Sequence, residues 1–566
     1  MNQQIKYRNR YNSPKGITIV ALVVTIVIML ILVGVTVTIA INGGLIGTAK
    51  DSKEETRYTQ VLAEKEMWEQ EERPTERFGI KSETLEDLIT RLENEKLLTK
   101  KEAEEVRKDG MTTIAKKWLV FGARKNVADA SLWEYNLDKK TNLVTITKYL
   151  GVMDDLTELT IPNFLLIDGK EYRVTKIEGH DAWQAIANFN GNVIISKGIT
   201  EIGKASFNGA NKITGVEIPD SVTLISDYAF QYCKSLTKIE IPGTVKKIGN
   251  WWGNVNGQIF NGCSNLKEVI LEEGIEEISG RAFDSCSKVK EWKLPKSLKR
   301  IGPCAFRNIS VEEFNIPENV ESIAATFISS SNLSRINVDS NNKYFTSVDG
   351  ILFDKDSTRL IKYPENRDGN SYEVPNTVKT IDANAFISCK NLQTIVIADS
   401  VEKIGDSAFD GSKLKTINLG GGITNISNKP FYGAWNLTNI NVITENDKYE
   451  SENGILFNKG KTILIKYPPA IINGEVYEIP NTVVEIGPQS FYRSQIKNVI
   501  IPSSVKKIGS ESFFECYNLE EVNLPEGLER IEWRALYGCH KIKTIVVPSS
   551  VTFIDGGAFN NMGRIN

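Results

Sequence analysis

The sequence predicts a β-rich solenoid, in which short coils stack along one shared core. From Val193 onward one sequence motif recurs, usually every 22 or 23 residues. It consists of an apolar strand, a proline, a second apolar strand, then Ala-Phe and a small residue. The positions that share the Phe slot are Phe207, Phe230, Phe260, Phe283, Phe306, Phe327, Phe386, Phe409, Phe431, Phe491, Phe513 and Phe559, with Leu536 as one substitute. So constant a step indicates stacked coils, because a single coil has no core of its own.

Each coil is expected to contain two short strands separated by a corner. In one copy, Leu266, Val269 and Leu271 form the first apolar run, while Ile275 and Ile278 form the second. A proline at the corner lacks an N–H group and therefore ends strand pairing there. A glycine often follows the second run, where it suits a tight bend or a positive φ. The Phe slot is then expected to stack as a continuous buried spine.

Six of the seven cysteines lie three residues after the Phe slot. Other repeats place Ser or Ala at that position, so the pattern indicates selection for small size. Parallel stacked side chains are poorly aimed for a disulfide, which needs Cβ atoms about 3.8 Å apart. We therefore expect free cysteines rather than a disulfide framework.

Two longer units interrupt the regular step. Residues 342–364 and 447–468 are copies of each other, and each contains "GILF" followed by "IKYP". An Asp-Gly pair at 349–350 and an Asn-Gly pair at 453–454 are turn signals between apolar runs. Each unit is therefore predicted to be a β-hairpin inserted into one coil.

The N-terminal region predicts a membrane anchor. Residues 1–16 form a basic leader with no acidic residue, and residues 17–41 form an apolar stretch of 25 residues without a charge. As a helix this stretch would span about 37 Å, enough for a hydrocarbon core of about 30 Å. Positive charge before the span favours a cytoplasmic N-terminus. The predicted location is a single-pass protein of the cell membrane with its repeats outside.

Between the membrane segment and the repeats we predict two further regions. Residues 42–111 have a helical pattern, with Ser82 and Thr99 as the predicted caps of two short helices, and are predicted to form a stalk and a helical hairpin. Residues 112–192 change to strand-like alternation and are predicted to cap the solenoid, which occupies 193–566. Such a cap is expected because an open solenoid end exposes strand edges.

The repeat pattern resembles the BspA-like family of leucine-rich repeats, which occurs on bacterial surface proteins. The resemblance rests on the recurring order of Pro, Gly, Ala-Phe and a small residue, and it covers roughly two thirds of the chain. It implies a leucine-rich-repeat solenoid at the cell surface.

The segment "KGITIVALVVTIVIMLILVGV" resembles the N-terminus of type IV prepilins and pilin-like proteins of Gram-positive bacteria. The resemblance implies that a membrane prepilin peptidase cuts between Gly16 and Ile17 and methylates the new N-terminus. One position departs from the family, since Ala21 stands where the fifth mature residue is usually Glu. That Glu helps subunits to register in a pilus, so its absence puts filament assembly in doubt more than processing.

The sequence gives little support for catalysis, and we expect no enzyme activity, cofactor or metal. The chain has two histidines, His180 and His540, and it lacks a P-loop, a C-x-x-C pair and a G-x-G-x-x-G motif after a strand. Carboxylates are plentiful but occur at repeat turns, which favours a solvated face over a glycosidase pair. A formal net charge of -3 gives no sign of a nucleic-acid partner.

Candidate binding residues lie at the outward position of the strand before the corner proline and in one long loop. The loop carries Trp251 and Trp252 in a Gly/Asn-rich setting, where one indole is expected to serve as a contact anchor. The outward binding candidates are Glu240, Lys293, Asn315, Asn337, Asn418 and Asn441. This mixed column favours an unknown protein or a host or cell-surface ligand over stacked sugars.

Two functions follow as hypotheses. The first is an anchored, adhesin-like surface protein that uses its repeats for protein or cell-surface binding. The alternative is a minor pilin or pseudopilin that carries the repeat domain on a filament like a type IV pilus.

Overall fold

A computed structural model describes residues 85–94, 98–109, 126–153, 156–179, 189–249, 257–324, 327–427, 429–471 and 476–562. The chain divides into two compact units, 1–123 and 124–566. The predicted leader, the apolar stretch 17–41 and the cleavage pair Gly16 and Ile17 lie outside the described residues, as do Trp251 and Trp252.

In the first unit the structure describes two helices, α1 (Leu85–Asn94) and α2 (Lys100–Asp109). Helix α2 begins directly after Thr99, whose carbonyl oxygen accepts a hydrogen bond from the N–H of Ala103 at 2.9 Å, so this predicted helix start is confirmed. Arg107 on α2 forms salt bridges with Glu86 and Glu93. Among the helices of the described residues, none is both long and apolar enough to cross a bilayer.

The second unit opens with six strands that include two antiparallel hairpins. The hairpin turns lie directly after Asp138 and at Asp168-Gly169. The strands are β1 (Val127–Asp129), β2 (Trp133–Asp138), β3 (Leu143–Tyr149), β4 (Glu158–Ile161), β5 (Phe164–Ile167) and β6 (Lys170–Ile177), with a 3-10 turn at Ala130–Leu132. Strand β4 pairs in parallel with the first longer strand of the repeats (Asn192–Ile195), and β6 pairs in parallel with the first two-residue strand (Glu201–Ile202). The N-terminal strands are therefore continuous with the sheets on both sides of the solenoid.

The repeats before the first insert form β7 (Asn192–Ile195), β8 (Glu201–Ile202), β9 (Gly215–Glu217), β10 (Leu224–Ile225), β11 (Lys238–Ile241), β12 (Lys247–Ile248), β13 (Glu268–Leu271), β14 (Glu277–Ile278), β15 (Arg300–Ile301), β16 (Phe306–Ile309), β17 (Glu313–Ile316), β18 (Ser322–Ile323), β19 (Ile328–Ser330) and β20 (Arg335–Val338). The two-residue strands after the corner, from β8 to β18, belong to one sheet along the stack. The longer strands before the corner form two sheets, one from β4 to β13 and one of β17 and β20, while β16 and β19 form a separate parallel pair. The predicted solenoid is confirmed.

The remaining strands are β21 (Phe345–Val348), β22 (Ile351–Asp354), β23 (Arg359–Lys362), β24 (Ser371–Glu373), β25 (Thr380–Ile381), β26 (Thr394–Ile397), β27 (Lys403–Ile404), β28 (Thr416–Leu419), β29 (Asn425–Ile426), β30 (Asn439–Val442), β31 (Tyr449–Glu452), β32 (Ile455–Asn458), β33 (Ile463–Lys466), β34 (Val476–Glu478), β35 (Glu485–Ile486), β36 (Asn498–Ile500), β37 (Lys507–Ile508), β38 (Glu521–Asn523), β39 (Arg530–Ile531) and β40 (Phe553–Ile554). They continue the same two-sided stack beyond each insert.

The two predicted hairpins are present, and each insert contains three strands rather than the two of a hairpin. Strands β21 and β22 pair antiparallel around the Asp-Gly turn, and β31 and β32 pair in the same way around the Asn-Gly turn. The third strands, β23 and β33, pair antiparallel with their hairpins and parallel with β25 and β35. Each third strand therefore starts a new sheet of two-residue strands.

The inserts divide the interior into three hydrophobic cores. Leu352 of β22 packs in the first core, while its neighbours Ile351 and Phe353 pack in the second. Strand β32 repeats the arrangement, with Leu456 in the second core and Phe457 in the third. An insert strand thus has an apolar neighbour on both faces, which explains why both copies of "ILF" are continuous apolar runs rather than alternating ones.

The predicted continuous Phe spine is wrong, because the inserts break it into runs. From Phe207 to Phe306 consecutive rings stack with centroids 5.0 to 5.8 Å apart. A second run starts at Tyr363, which stacks on Phe386 at 5.1 Å, and a third starts at Tyr467, which stacks on Phe491 at 4.9 Å. The tyrosine of each "KYP" sequence therefore occupies the Phe slot at the end of its insert.

The glycine after the second strand is required by a close backbone approach rather than by its φ angle. A Cβ atom on Gly405 would lie 2.5 Å from the N atom of Ala383 on the preceding coil, and one on Gly302 would lie 2.7 Å from the N atom of Gly280. Of the glycines in this slot, only Gly249 has a positive φ. The alternative that we gave, a positive φ, is therefore wrong for the others.

The position three residues after the Phe slot accommodates small side chains, and some of them also donate hydrogen bonds. All seven cysteines are free, as expected. The Sγ atom of Cys286 donates a hydrogen bond to the carbonyl oxygen of Phe260 on the preceding coil at 3.3 Å, and Cys516 donates to Phe491 in the same way at 3.0 Å. Ser330 makes a comparable bond to Val311. Several Cys and Ser residues in this slot therefore donate between coils, which the size argument missed, whereas the buried hydroxyl of Ser412 in the same slot has no hydrogen-bond partner.

Candidate functional site

The predicted outward positions are exposed or half-buried, so their orientation is confirmed, while their role in binding stays a prediction. Glu240, Lys293 and Asn315 are exposed, whereas Asn337, Asn418 and Asn441 are half-buried. The asparagines pair across neighbouring coils: Asn337 Nδ2 donates to Asn315 Oδ1, and Asn441 Nδ2 donates to Asn418 Oδ1, each at 2.9 Å. These pairs join adjacent coils, which gives the four asparagines a structural role whether or not they bind a ligand.

A second surface, which sequence reasoning missed, lies at the position directly after the Phe slot. In the first repeats this position is polar: Asn208, Gln231, Asn261, Asp284 and Arg307. From Phe431 to Leu536 it is aromatic, whereas Asn560 follows Phe559 in the last repeat; we call these aromatic side chains the aromatic column: Tyr432, Tyr492, Phe514 and Tyr537. The residue that follows the buried Phe lies at the side of the coil, where its exposure varies: Tyr432 is 38% exposed, whereas Tyr492 and Phe514 are 7% and 9% exposed.

The rings of the aromatic column are in contact with one another along the stack. Tyr492 and Phe514 lie parallel with centroids 5.0 Å apart, and Phe514 and Tyr537 lie parallel at 4.9 Å. Tyr432 approaches Tyr492 at 5.3 Å, and their hydroxyl oxygens are 3.4 Å apart. The second insert separates these two tyrosines in sequence, and the fold brings them back together.

Two tryptophans and two arginines border the aromatic column. Trp435, 39% exposed, stacks on Tyr492 at 5.8 Å, and the guanidinium of Arg493 lies 5.2 Å from the Trp435 ring. The guanidinium of Arg534 lies 4.3 Å from the ring of Trp533, which is 43% exposed. Such cation–π contacts orient the rings and hold positive charge beside them.

The geometry determines what this surface can contact. Because the rings of Tyr492 and Phe514 cover each other and are only 7% and 9% exposed, their faces are occupied and little of either ring reaches solvent. The exposed rings at this surface are Tyr432, Trp435 and Trp533. A sugar stacks on a free ring face, so a column of covered faces is poorly suited to it. Exposed edges of Tyr and Trp beside Arg are instead the residue types that anchor protein–protein interfaces.

The described residues offer little for catalysis or metal binding. Within the described part of the chain, no group of three or more His, Cys, Asp or Glu residues is placed to hold a metal ion. His540 stacks on Tyr517 with ring centroids 5.9 Å apart, and His180 lies outside the described residues. Asp354, in the "DKD" sequence of the first insert, accepts hydrogen bonds from Thr358 and Arg359 and so closes a turn.

The fold and its motif define a leucine-rich-repeat solenoid. The family model described as a BspA type leucine rich repeat region (6 copies) matches residues 174–252, 253–355, 365–466 and 471–566. These matches cover more than half of the chain, which therefore belongs to that family. None of the curated proteins is detectably similar to it.

Several solved structures are similar in fold. A leucine rich cell surface protein of Faecalibacterium prausnitzii is 22% identical, covers 78% of this chain and 93% of its own length, and has a TM-score of 0.39. A leucine-rich repeat protein of Eubacterium ventriosum is 22% identical, with coverages of 78% and 95% and a TM-score of 0.43. The pneumococcal vaccine antigen PcpA is 18% identical, with coverages of 78% and 99% and a TM-score of 0.40. At these values the likeness says nothing about ligand or activity.

Proposed function

We propose that this chain is a non-catalytic binding protein of the bacterial cell surface and that the aromatic column, with Trp435 and Trp533 beside it, binds a protein partner. The observation that carries the proposal is a change along one solenoid: a position that is polar in the first repeats becomes a run of stacked aromatic rings in the last ones. The exposed rings of this surface, Tyr432, Trp435 and Trp533, lie outside the buried core, so a partner is the better explanation for them.

Energetics support a protein partner at this surface. Tyr, Trp and Arg dominate the residues whose truncation costs most at protein interfaces. The rings of the aromatic column are already ordered by stacking on one another, so binding would immobilise few new rotamers. Arg493, whose Nε donates to Glu515 Oε2 at 2.6 Å, is held in place as well. A preformed, aromatic and partly cationic surface is therefore ready for contact without rearrangement.

The double variant Trp435→Ala/Trp533→Ala is expected to weaken binding at least tenfold, in line with losses of about 2 kcal/mol or more for central interface residues. Bacteria that express the full-length chain would be tested for adhesion to an array of purified extracellular-matrix proteins, with a glycan array as a parallel arm. Tyr232→Ala serves as the matched control, because Tyr232 is an exposed aromatic residue, 47% accessible, in the first repeats.

Two results would count against this proposal. Unchanged adhesion of a stable double variant would move recognition to the outward positions from Glu240 to Asn441 or to the loop of Trp251 and Trp252. Adhesion to glycans alone would replace the protein partner by a carbohydrate.

The proposed anchor is the apolar stretch 17–41, with the repeats outside the cell. The mature chain is expected to begin at Ile17, with a methylated N-terminus, because Gly16 lies between a basic leader and an uncharged stretch. Mass spectrometry of the N-terminal peptide from native membranes tests this. An intact Met1 would indicate an uncleaved signal anchor, and a start beyond residue 41 would indicate a secreted protein. Recovery of the processed chain in sheared filaments would favour the minor-pilin alternative.

A further inference from the structure

The two inserts create two seams in the solenoid, at which one sheet of two-residue strands ends and the next begins. The first seam lies between β18 and β23, and the second lies between β29 and β33. A cavity of ≈ 180 Å³ opens at the second seam. It is lined by aromatic and apolar side chains, including Tyr432, Tyr449 and Ile465, and by Lys466. Because the two inserts are copies in sequence, the corresponding residues of the two seams can be compared directly. At the first seam the charged side chains have partners within the chain.

At the first seam each of two cations, Lys362 and Arg359, has a carboxylate partner. Lys362 Nζ lies 2.8 Å from Glu365 Oε1, and both side chains are 1% exposed. Arg359 forms a bidentate salt bridge with Asp382, in which Nε donates to Oδ1 at 3.2 Å and Nη2 donates to Oδ2 at 2.6 Å. The buried ammonium therefore has a carboxylate partner of its own.

At the second seam both ion pairs are missing. Strand register places Ile463 where the first seam has Arg359, and Gly487 where it has Asp382. The sequence "IKYPP" replaces "IKYPE", so Pro469 stands at the position of Glu365. Ile463 and Gly487 both line the cavity. A smaller, apolar set of residues thus leaves space where the first seam has charged side chains.

Lys466 is left as a buried cation without a counter-ion. Its side chain is 7% exposed, and its Nζ donates to the carbonyl oxygen of Gln489 at 3.0 Å. In the described part of the chain no carboxylate lies within ion-pair distance of this Nζ. Burial lowers the pKa of Lys466 to about 8, and the nearby Cys516 opposes that shift. An ammonium in this position retains unused donors and gains from any anion that enters.

We propose that the second seam is a binding site for a carboxylate carried on a small apolar or aromatic body. The carboxylate would pair with Lys466 as Glu365 pairs with Lys362, and the body would pack among Tyr432, Tyr449, Ile463 and Ile465. A carboxylate fits the site because the first seam uses that group for the same lysine. An aromatic or apolar body fits because most of the other lining side chains are of that kind.

Two sources could supply such a group, namely a free organic acid and the carboxyl terminus of a peptide. The cavity volume limits either to about one ring beside the carboxylate. Benzoate represents the free acid, and N-acetylphenylalanine represents a chain terminus. Benzamide and N-acetylphenylalanine amide are the matched neutral probes, since they keep the shape and lack the charge.

Calorimetric titration of the purified full-length protein tests the proposal. The acids are expected to bind, and their amides are expected to bind at least tenfold more weakly. Preference for benzoate would identify a free acid as the source, and preference for N-acetylphenylalanine would identify a chain terminus. Equal binding of acids and amides, or no binding of either acid, would overturn the proposal.

Two variants locate the site without touching the tryptophans tested above. Lys466→Met keeps the side-chain length and is expected to abolish the preference for acid over amide. Pro469→Glu restores the "IKYPE" sequence of the first seam, and the new carboxylate is expected to pair with Lys466 and reduce acid binding at least tenfold. Lys362→Gln at the first seam is the control and is expected to leave binding unchanged. Wild-type acid binding by folded Pro469→Glu and Lys466→Met would refute the assignment.

The same titration has a predicted pH dependence. Since only protonated Lys466 attracts a carboxylate, acid affinity is expected to be full below about pH 8 and to fall as the pH rises through that value. Lys429, which lies 3.8 Å from Glu511, and the tyrosines Tyr432, Tyr449 and Tyr492 are the other titratable groups that line the cavity. The decrease in acid affinity near pH 8 is therefore expected to be absent in the Lys466→Met variant. If the decrease persisted in that variant, another titrating group would be responsible for it. The cavity shares Tyr432 and Tyr492 with the aromatic column, but the preference for acid over amide depends on Lys466 and the adhesion test depends on Trp435 and Trp533, so either proposal can fail alone.

Discussion

Replacing Phe283 with Ala is expected to lower the local free energy of unfolding by about 3–5 kcal/mol. Phe283 is fully buried and stacks between Phe260 at 5.3 Å and Phe306 at 5.8 Å, with Trp292 at 4.8 Å. Removing its ring would open a cavity between coils, and each coil is stabilised mainly by its neighbours. Native-state hydrogen exchange measured by mass spectrometry would show the loss, centred on the coils of these rings.

Cys286→Ser is the matched control on the same coil. Ser keeps a donor for the carbonyl oxygen of Phe260, so the expected loss is about 1 kcal/mol or less. If this change destabilised the coil more than Phe283→Ala did, the spine would not be the main stabilising element. A loss spread evenly over all repeats would contradict the nearest-neighbour description of the solenoid.

Replacing Glu365 with Ala is expected to destabilise the first seam by about 3–5 kcal/mol, the cost of breaking a buried ion pair from one side. The change would leave the ammonium of Lys362, which is 1% exposed, without its carboxylate. Denaturant unfolding combined with hydrogen exchange of β22 and β23 would measure the loss.

The double variant Lys362→Met/Glu365→Leu separates pairing from packing. It removes both charges and fills similar volume, so its stability is expected to lie near that of the wild type or above it. If the double variant were as unstable as Glu365→Ala, the cost would come from lost packing rather than from an unpaired charge.

Several features could be predicted from sequence because they depend on local repetition. The step between Phe slots, the corner prolines and the Asp-Gly and Asn-Gly turns each indicate a conformation that neighbouring residues impose. The outward orientation of Glu240 and Asn315 followed from strand alternation alone. The repeated small-residue position of Cys286 could be predicted, but its hydrogen bond to Phe260 depends on how one coil packs on the next.

The candidate sites could not be predicted in the same way, because their residues are distant in sequence. Tyr432 and Tyr492 are separated by the second insert, and only stacking of the coils on both sides brings their rings together. A partial signal was present, since an aromatic residue follows the Phe slot in several late repeats. Comparison of the residues that flank the Phe slot across the repeats, rather than of the slot alone, reveals the aromatic column in the sequence.

By itself the sequence determined the repeat, the coil corners, the two hairpins and the family, since each is written in residues that are close along the chain. Tertiary structure decided that Tyr363 and Tyr467 restart the spine, that the inserts divide the core, and that Lys362 is paired while Lys466 is not. The two lysines lie in the same "IKYP" sequence. Their different environments arise from Glu365 and Pro469 together with the coil packed against each, because the cost of a buried charge depends on everything that surrounds it.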